Sequence, residues 1–305
     1  MTSLCKEFWQ SLLAQGVLTG VACGLLMTPA MSATPQYFNK KRGGAMGIAV
    51  AGSSIGGVIF PIALNRMFEN SSLGFGWSVR ICAFIVLAML APAAVVVKPR
   101  LPPRTSKFFM PEAFLEPQYA FLCVTTFLLF LGQFTPFFFL PVYAISQGMN
   151  ERLALYLIAI MNAASVPGRV IPAILSDKLG RMNMLFASGI STGILAFCWQ
   201  ATHSKTAIIV WAVLYGFCSG AIVSGISVGL ASCPKDARNI GTYMGMGLAV
   251  ASVAGLIGPP VCGAIYAHYG GFSQVSIFSG VFCLAGGVFV IPAKLYGGHA
   301  LLSMK

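Results

Sequence analysis

Residues 168–181 read GRVIPAILSDKLGR, and the reading of this stretch decides the fold. An arginine, Arg169, sits inside an apolar run that closes on a compact charged turn, Ser176-Asp177-Lys178-Leu179-Gly180-Arg181. If the run is a helix, Arg169 lies about 12 Å deeper along its axis than Asp177. A charge at that depth in lipid is costly on every scale, so it faces a bundle interior or a water-filled path. The short, basic, glycine-broken turn suits a tight link between two spanning helices.

Composition agrees. The 305 residues are 57% hydrophobic and only 9% charged. Soluble domains are near a quarter charged, so a soluble fold is excluded. The chain has 34 Gly, 23 Phe and 14 Met, which suits helices packed against one another in lipid, where glycine lets backbones approach. Nine apolar runs are long enough to span a bilayer, at roughly 11–32, 43–65, 80–97, 119–144, 153–175, 183–200, 206–231, 241–267 and 273–294. The links are short except 98–118, which carries Lys98, Arg100, Arg104 and Lys107 with Pro102 and Pro103 and reads as a linker between two bundles.

The net charge of +12 raises nucleic acid as a partner, but the placement of the charges argues against it. One side of the spans holds Lys40, Lys41, Arg42, Lys98, Arg100, Arg104, Lys107, Lys178, Arg181, Lys235, Arg238, Lys294 and Lys305, thirteen in all. The other side holds the five residues Lys6, Arg66, Arg80, Arg152 and Lys205. This asymmetry makes the first side cytosolic, C-terminus included, and puts the N-terminus outside. The partner that the charge implies is the lipid bilayer.

A hexapeptide repeats. Met46-Gly47-Ile48-Ala49-Val50-Ala51 recurs as Met246-Gly247-Leu248-Ala249-Val250-Ala251, each copy after a basic turn and before proline. The copies fall in the second and eighth spans, so the repeat unit is six helices. Spans four to nine make one complete unit. Spans one to three correspond to the last three helices of the other, from which the chain is expected to begin within a larger protein.

Six plus six helices joined by this turn resembles the major facilitator superfamily. Ala173–Arg181, AILSDKLGR, is similar to that superfamily's D-[RK]-x-G-[RK] loop motif between the second and third helices of each half. Within it the run QYFNKKRGGAMGIAVAGSSIGGVIFP at 36–61, NAASVPGR at 162–169 and CPKDARNIGTYMGMG at 233–247 resemble fungal proteins of the monocarboxylate porter family. The likeness covers essentially the whole chain and is not specific for substrate. Animal members carry an aspartate four residues before the eighth-helix arginine, where this chain has Ser165, and a first-helix lysine that this chain lacks. Proton–lactate symport is therefore not carried over, and proton coupling stays open.

The candidate substrate contacts are Arg169, Asn162, Ser165 and Gln133. Asn162, Ser165, Arg169 and Ser176 are spaced 3, 4 and 7 apart and share one helical face. A polar stripe with one guanidinium suits a carboxylate, which arginine binds through two parallel hydrogen bonds. The alternative is an arginine that locks the bundle by bonding a backbone carbonyl. Gln133 lies in LFLGQFTPFFFLPVY, where Pro136 and Pro141 should bend the helix beside a cavity or merely a packing contact. Asp177, Lys178, Gly180 and Arg181 are expected to form a cytosolic gate, the carboxylate pairing with Arg181 or with a neighbouring helix terminus. Ser53 and Ser54 either bond across helices or line the cavity. The G-x-x-x-G pairs 16–20–24, 43–47, 52–56, 189–193, 216–220 and 241–245 are expected at helix contacts. Asn70-Ser71-Ser72 is a weak glycosylation sequon.

The nine Cys and three His have neither disulfide nor metal-site spacing. No phosphate loop, nucleophile elbow or zinc-protease motif appears, so neither an enzyme nor a cofactor is implied.

These readings converge on an all-α membrane protein with the major facilitator fold. It divides into an incomplete three-helix N-terminal lobe (1–97), a cytosolic loop (98–118), a six-helix C-terminal lobe (119–297) and a cytosolic tail (298–305). The resemblance implies a secondary transporter moving a small organic anion by alternating access, in the plasma membrane by family default. Efflux of a fungal secondary metabolite is the alternative. From another class, the rival is a truncated, non-transporting membrane protein or one that binds a partner.

Overall fold

The computed structural model describes residues 2–38, 41–70, 74–98, 100 and 109–297. All regular structure among them is helical. Nine of these helices are long and apolar enough to cross a membrane. They are α1 (Phe8–Tyr37, with a π-helical stretch Leu12–Leu18), α2 (Arg42–Asn70), α3 (Gly74–Val96), α4 (Pro117–Ser146), α5 (Glu151–Leu179), α6 (Arg181–Cys198), α7 (Lys205–Ser232), α8 (Ile240–Tyr269) and α9 (Ser273–Tyr296). Each overlaps one expected apolar run. Most are longer, because a helix keeps its backbone bonds after its side chains turn polar.

Local sequence explains the ends. Asn150 caps α5, its side chain accepting from the N–H of Arg152 at 2.9 Å. Ser204 caps α7 through the N–H of Ala207 at 3.2 Å. Helix α5 stops at Gly180, whose φ of +94° a side chain would strain, and α6 starts at the next residue.

Helix α4 is broken at Phe134 into Pro117–Gln133 and Thr135–Ser146. The cause is Pro136, which has no N–H for the carbonyl of Gly132, four residues back. That carbonyl accepts instead from the hydroxyl of Ser279 on α9 at 2.9 Å. The N–H of Phe137 shifts to the carbonyl of Phe134, and the vacated carbonyl of Gln133 accepts from Tyr215 on α7 at 2.9 Å. Two neighbouring helices thus satisfy what the proline leaves open.

Helices α4–α9 pack as one bundle, with its densest contacts between α5 and α7, α4 and α9, and α6 and α9. One core cluster, with Tyr119, Leu122, Leu185, Ile222 and Met244, lies toward the end carrying Lys178 and Arg181, here called the basic end. A second, with Tyr143, Leu157, Trp199, Trp211 and Tyr215, fills the opposite end. In lipid such packing is held by dispersion and close fit rather than by expulsion of water. Helix α2 joins the bundle along α5 and α7, and α1 touches α8. Helix α3 packs on α2 and on the N-terminal turn Thr2–Leu4.

Three expectations are corrected. Gly20 and Gly24 of α1 face open space, and Gly16 meets only Leu12 of its own helix, so among the described residues that spacing meets no neighbouring helix. Gly52 likewise faces open space and Gly56 meets only Phe60 of its own helix. Small residues permit a close approach but do not supply the partner. Lys294, assigned to a link by its position, is 5% exposed on α9 and donates to Asn183 on α6 at 2.6 Å. Residues 99, 101–108 and the tail 298–305 lie outside the described residues, as does the side chain of Asn70 with the rest of its sequon.

Candidate functional site at the seam between α2 and α5

The polar stripe of α5 faces α2, and the two helices run antiparallel along it. Gly57 opposes Asn162, where a Cβ would lie 2.6 Å from the amide oxygen. The hydroxyls of Ser165 and Ser54 are hydrogen-bonded across the seam at 2.7 Å. Arg169 Nη1 donates to the carbonyl of Val50 at 2.9 Å and contacts the hydroxyl of Ser53. At Gly47 a Cβ would stand 2.7 Å from the carbonyl of Arg169, and at Gly43 2.8 Å from the carboxylate of Asp177. Side chains at these glycines would hold the helices apart.

The seam ends in a cap. The first N–H groups of a helix have no intrahelical acceptor and carry its positive dipole end. Asp177 receives two of those of α2, from Gly43 at 2.9 Å and Gly44 at 3.0 Å. Of the two partners open to Asp177 on sequence, it is thus the helix terminus that its carboxylate meets. Arg181 turns to α7, donating to Ser232 at 2.8 Å, and Lys178 is exposed. Arg42 reaches the carbonyl of Ala231 at 3.5 Å. The contacts between α2 and α5 therefore extend from the basic end to the middle of both helices.

Arg169 is the chemically unfinished group here. A guanidinium has five N–H donors. One nitrogen is bonded to α2, while Nε is buried without a hydrogen-bond partner. The nearest acidic residue on its own helix, Asp177, is engaged with α2. An arginine with donors to spare and no carboxylate can accept a carboxylate from outside.

Gln133 does not join this row. It is 1% exposed in α4, and neither its amide oxygen nor its amide nitrogen has a partner. Its link is to α7, through its backbone. Sequence spacing identified the α5 face but not the groups that meet it: the carbonyl of Val50 and the N–H groups of Gly43 and Gly44. The available signals were the Gly43–Gly47 pair, Ser53 and Ser54, and the hexapeptide at 46–51, which contains Val50.

Comparison with known proteins places the fold in a family. The model of the Major Facilitator Superfamily matches residues 1–199 and 170–297. The aspyridones efflux protein apdF of Emericella nidulans is 51% identical over 295 residues, covering 97% of this chain. The chain spans 60% of that relative's length. The agnestins efflux protein AgnL12 of Paecilomyces divaricatus is 40% identical over 299 residues, covering 97% of this chain and 68% of its own. Among solved structures, FucP in its outward conformation superposes with a TM-score of 0.72 at 15% identity, over 97% of this chain and 78% of its own. The human organic anion transporter MFSD10 gives 0.73 at 14% identity, over 95% and 72%. At such identities the likeness concerns the fold. The family match and the nine apolar helices together establish that this chain is an integral, multi-pass membrane protein of the Major Facilitator Superfamily.

Proposed function

We propose that the protein is an efflux carrier for a small organic metabolite bearing an acidic group. The two curated relatives above are named as efflux proteins of fungal metabolites, which favours export over monocarboxylate carriage. The observation that carries the acidic-group reading is Arg169: a guanidinium deep in the seam, bonded through one nitrogen and with no carboxylate partner among the described residues.

The mechanism follows from those bonds. Arg169 holds α2 through a backbone carbonyl and a hydroxyl, both neutral acceptors. An incoming carboxylate is a stronger acceptor, charge-assisted and able to engage two N–H groups at once. Its arrival would draw Arg169 from Val50 and Ser53 and loosen the middle of the seam. Asn162 and Ser165 offer the next polar contacts along the same face. Opening the basic end also requires Asp177 to leave the N-terminus of α2, with Lys178 and Arg181 flanking that latch and Gly180 turning the chain between its two helices. The lysine and arginine distribution makes that end cytosolic. In this reading the conformation is closed toward the cytosol, and the plasma membrane is the working location.

The test is genetic. The gene is deleted in its host, and intracellular and secreted metabolites are compared by mass spectrometry. The expected result is intracellular retention of one acidic metabolite, reversed by the wild-type gene but not by Arg169→Ala expressed at the same membrane level. Full complementation by Arg169→Ala would assign the arginine to structure alone.

A further inference from the structure

Arg42 and Arg181 come from different helices and meet at the basic end. Arg42 is the first residue of α2 and Arg181 the first of α6. Both reach the last turn of α7, Arg42 to the carbonyl of Ala231 at 3.5 Å and Arg181 to the hydroxyl of Ser232 at 2.8 Å. These acceptors belong to consecutive residues, whose Cα atoms lie about 3.8 Å apart. The two guanidiniums are near enough to repel each other. Both remain partly exposed.

The charge around them does not balance theirs. Asp177 gives one carboxylate oxygen to the N–H of Gly43 and the other to that of Gly44. Asp236, beyond α7, is exposed and accepts from the N–H of Arg238 in its own turn at 2.9 Å. Among the described residues neither guanidinium has a carboxylate partner. The C-terminus of α7 brings about half a negative charge and the N-terminus of α2 about half a positive one, so the helix ends cancel. Two arginines against one aspartate leave a positive excess, to which the exposed Lys41 and Lys178 add.

Donors are left over as well. Each guanidinium has five N–H groups. Arg42 spends Nε on the carbonyl of Phe38 in its own turn and Nη1 on Ala231, both at 3.5 Å. Bonds of that length are weak and readily exchanged for a better acceptor. Two guanidinium forks side by side match the several oxygens of a phosphate.

Position selects the source of that phosphate. The starts of α2 and α6 and the last turn of α7 lie where the spans leave the hydrocarbon, at headgroup depth. At the same end α5 exposes Ile174 (45%) and Leu179 (41%), apolar surface along which acyl chains can lie. Basic clusters on the cytosolic face of a membrane attract anionic lipids.

We propose that Arg42 and Arg181 bind the phosphate of an anionic phospholipid from the leaflet at the basic end, the headgroup tying α2 to α6. The lipid takes no part in carrying the metabolite, so this site stands or falls apart from the export reading.

The chain is placed in nanodiscs of phosphatidylcholine with and without phosphatidate, and its thermal unfolding is measured. Phosphatidate should raise the melting temperature of the wild type and stay bound in native mass spectrometry. Arg42→Gln and Arg181→Gln should each weaken phosphatidate roughly tenfold, as loss of a hydrogen bond to a charged group does. Each variant is compared with itself in the two lipids, so its own stability does not enter. Arg42→Lys and Arg181→Lys keep the charge and lose the fork; they should weaken phosphatidate several-fold, and they serve if a glutamine variant does not fold. Arg238→Gln removes the same charge from an exposed position at this end and should respond as the wild type does. Four outcomes would overturn the site. They are no rise in the wild type, unchanged phosphatidate binding in the variants of both arginines, an equal loss in Arg238→Gln, or an equal rise from inorganic phosphate in phosphatidylcholine alone. The third would make the effect a diffuse surface attraction, and the fourth would make the occupant a soluble anion.

Discussion

Helices α1 and α3 are as apolar as the helices of the six-helix bundle, yet they are packed differently. The most apolar windows of α1 and α3 are 0% buried, whereas those of α4 and α7 are 56% and 50% buried. Between these extremes α2, at 22%, is the one helix of the first three laid along the bundle. Hydropathy reports whether a segment enters a membrane; it does not report whether a protein neighbour or lipid covers it. What distinguishes α2 is a face made for contact, with glycines where α5 comes near and hydroxyls where α5 is polar.

The largest test of this contrast is a matched pair of substitutions. Gly47→Leu should disrupt the seam, since even its Cβ would meet the backbone of α5, and overpacking costs about 1–3 kcal/mol or more. Gly20→Leu on α1 should leave the melting temperature of the purified protein nearly unchanged. Equal effects would erase the distinction between the two helices. Next, Asp177→Ala removes two charge-assisted bonds to α2, a loss of about 1.5–3 kcal/mol. A spin-label distance across the basic ends of α2 and α5 should lengthen, and an unaltered distance would mean that the glycine fit alone closes that end. Tyr215→Phe, inside the bundle, leaves the carbonyl of Gln133 without its hydroxyl and should cost about 1–3 kcal/mol, measured by thermal unfolding.

The smallest effect is chemical rather than energetic. In detergent, Cys23 of α1 is exposed and should react with N-ethylmaleimide, while the buried Cys123, Cys262 and Cys283 should react only after unfolding. Cys233, just beyond α7, is also buried, and burial pushes its thiol up to about 12. It stays protonated at the pH of labelling and should be slow as well. Rapid modification of Cys123 or Cys283 would contradict the close packing of the bundle.

Much of the fold is legible in the sequence because the membrane imposes it. Apolar length fixes where helices run, and the spacing of Asn162, Ser165 and Arg169 puts them on one face of any helix that contains them. The partner of that face was legible only in part, through Gly43, Gly47, Ser53 and Ser54. Val50 acts through its carbonyl, and every residue has one. Gly43 and Gly44 act through N–H groups that are free only because a helix begins there. Gly16, Gly20 and Gly24 show the converse, a contact pattern that meets no neighbouring helix among the described residues. Lys294 was misplaced because a lysine at the end of an apolar run reads as solvent-facing unless the asparagine beside it, Asn183 on another helix, is known.

The break in α4 has a mechanical meaning. Its two freed carbonyls are anchored by α9 and α7, so the bend is set from outside the helix that bends. The half from Thr135 to Ser146 behaves as an arm whose joint belongs to its neighbours. A tilt of α7 or α9 would then swing that arm, with Tyr143 near its tip. A fluorophore pair on Phe138 and Val213 would follow the swing, and a fixed separation through the working cycle would show the joint to be rigid.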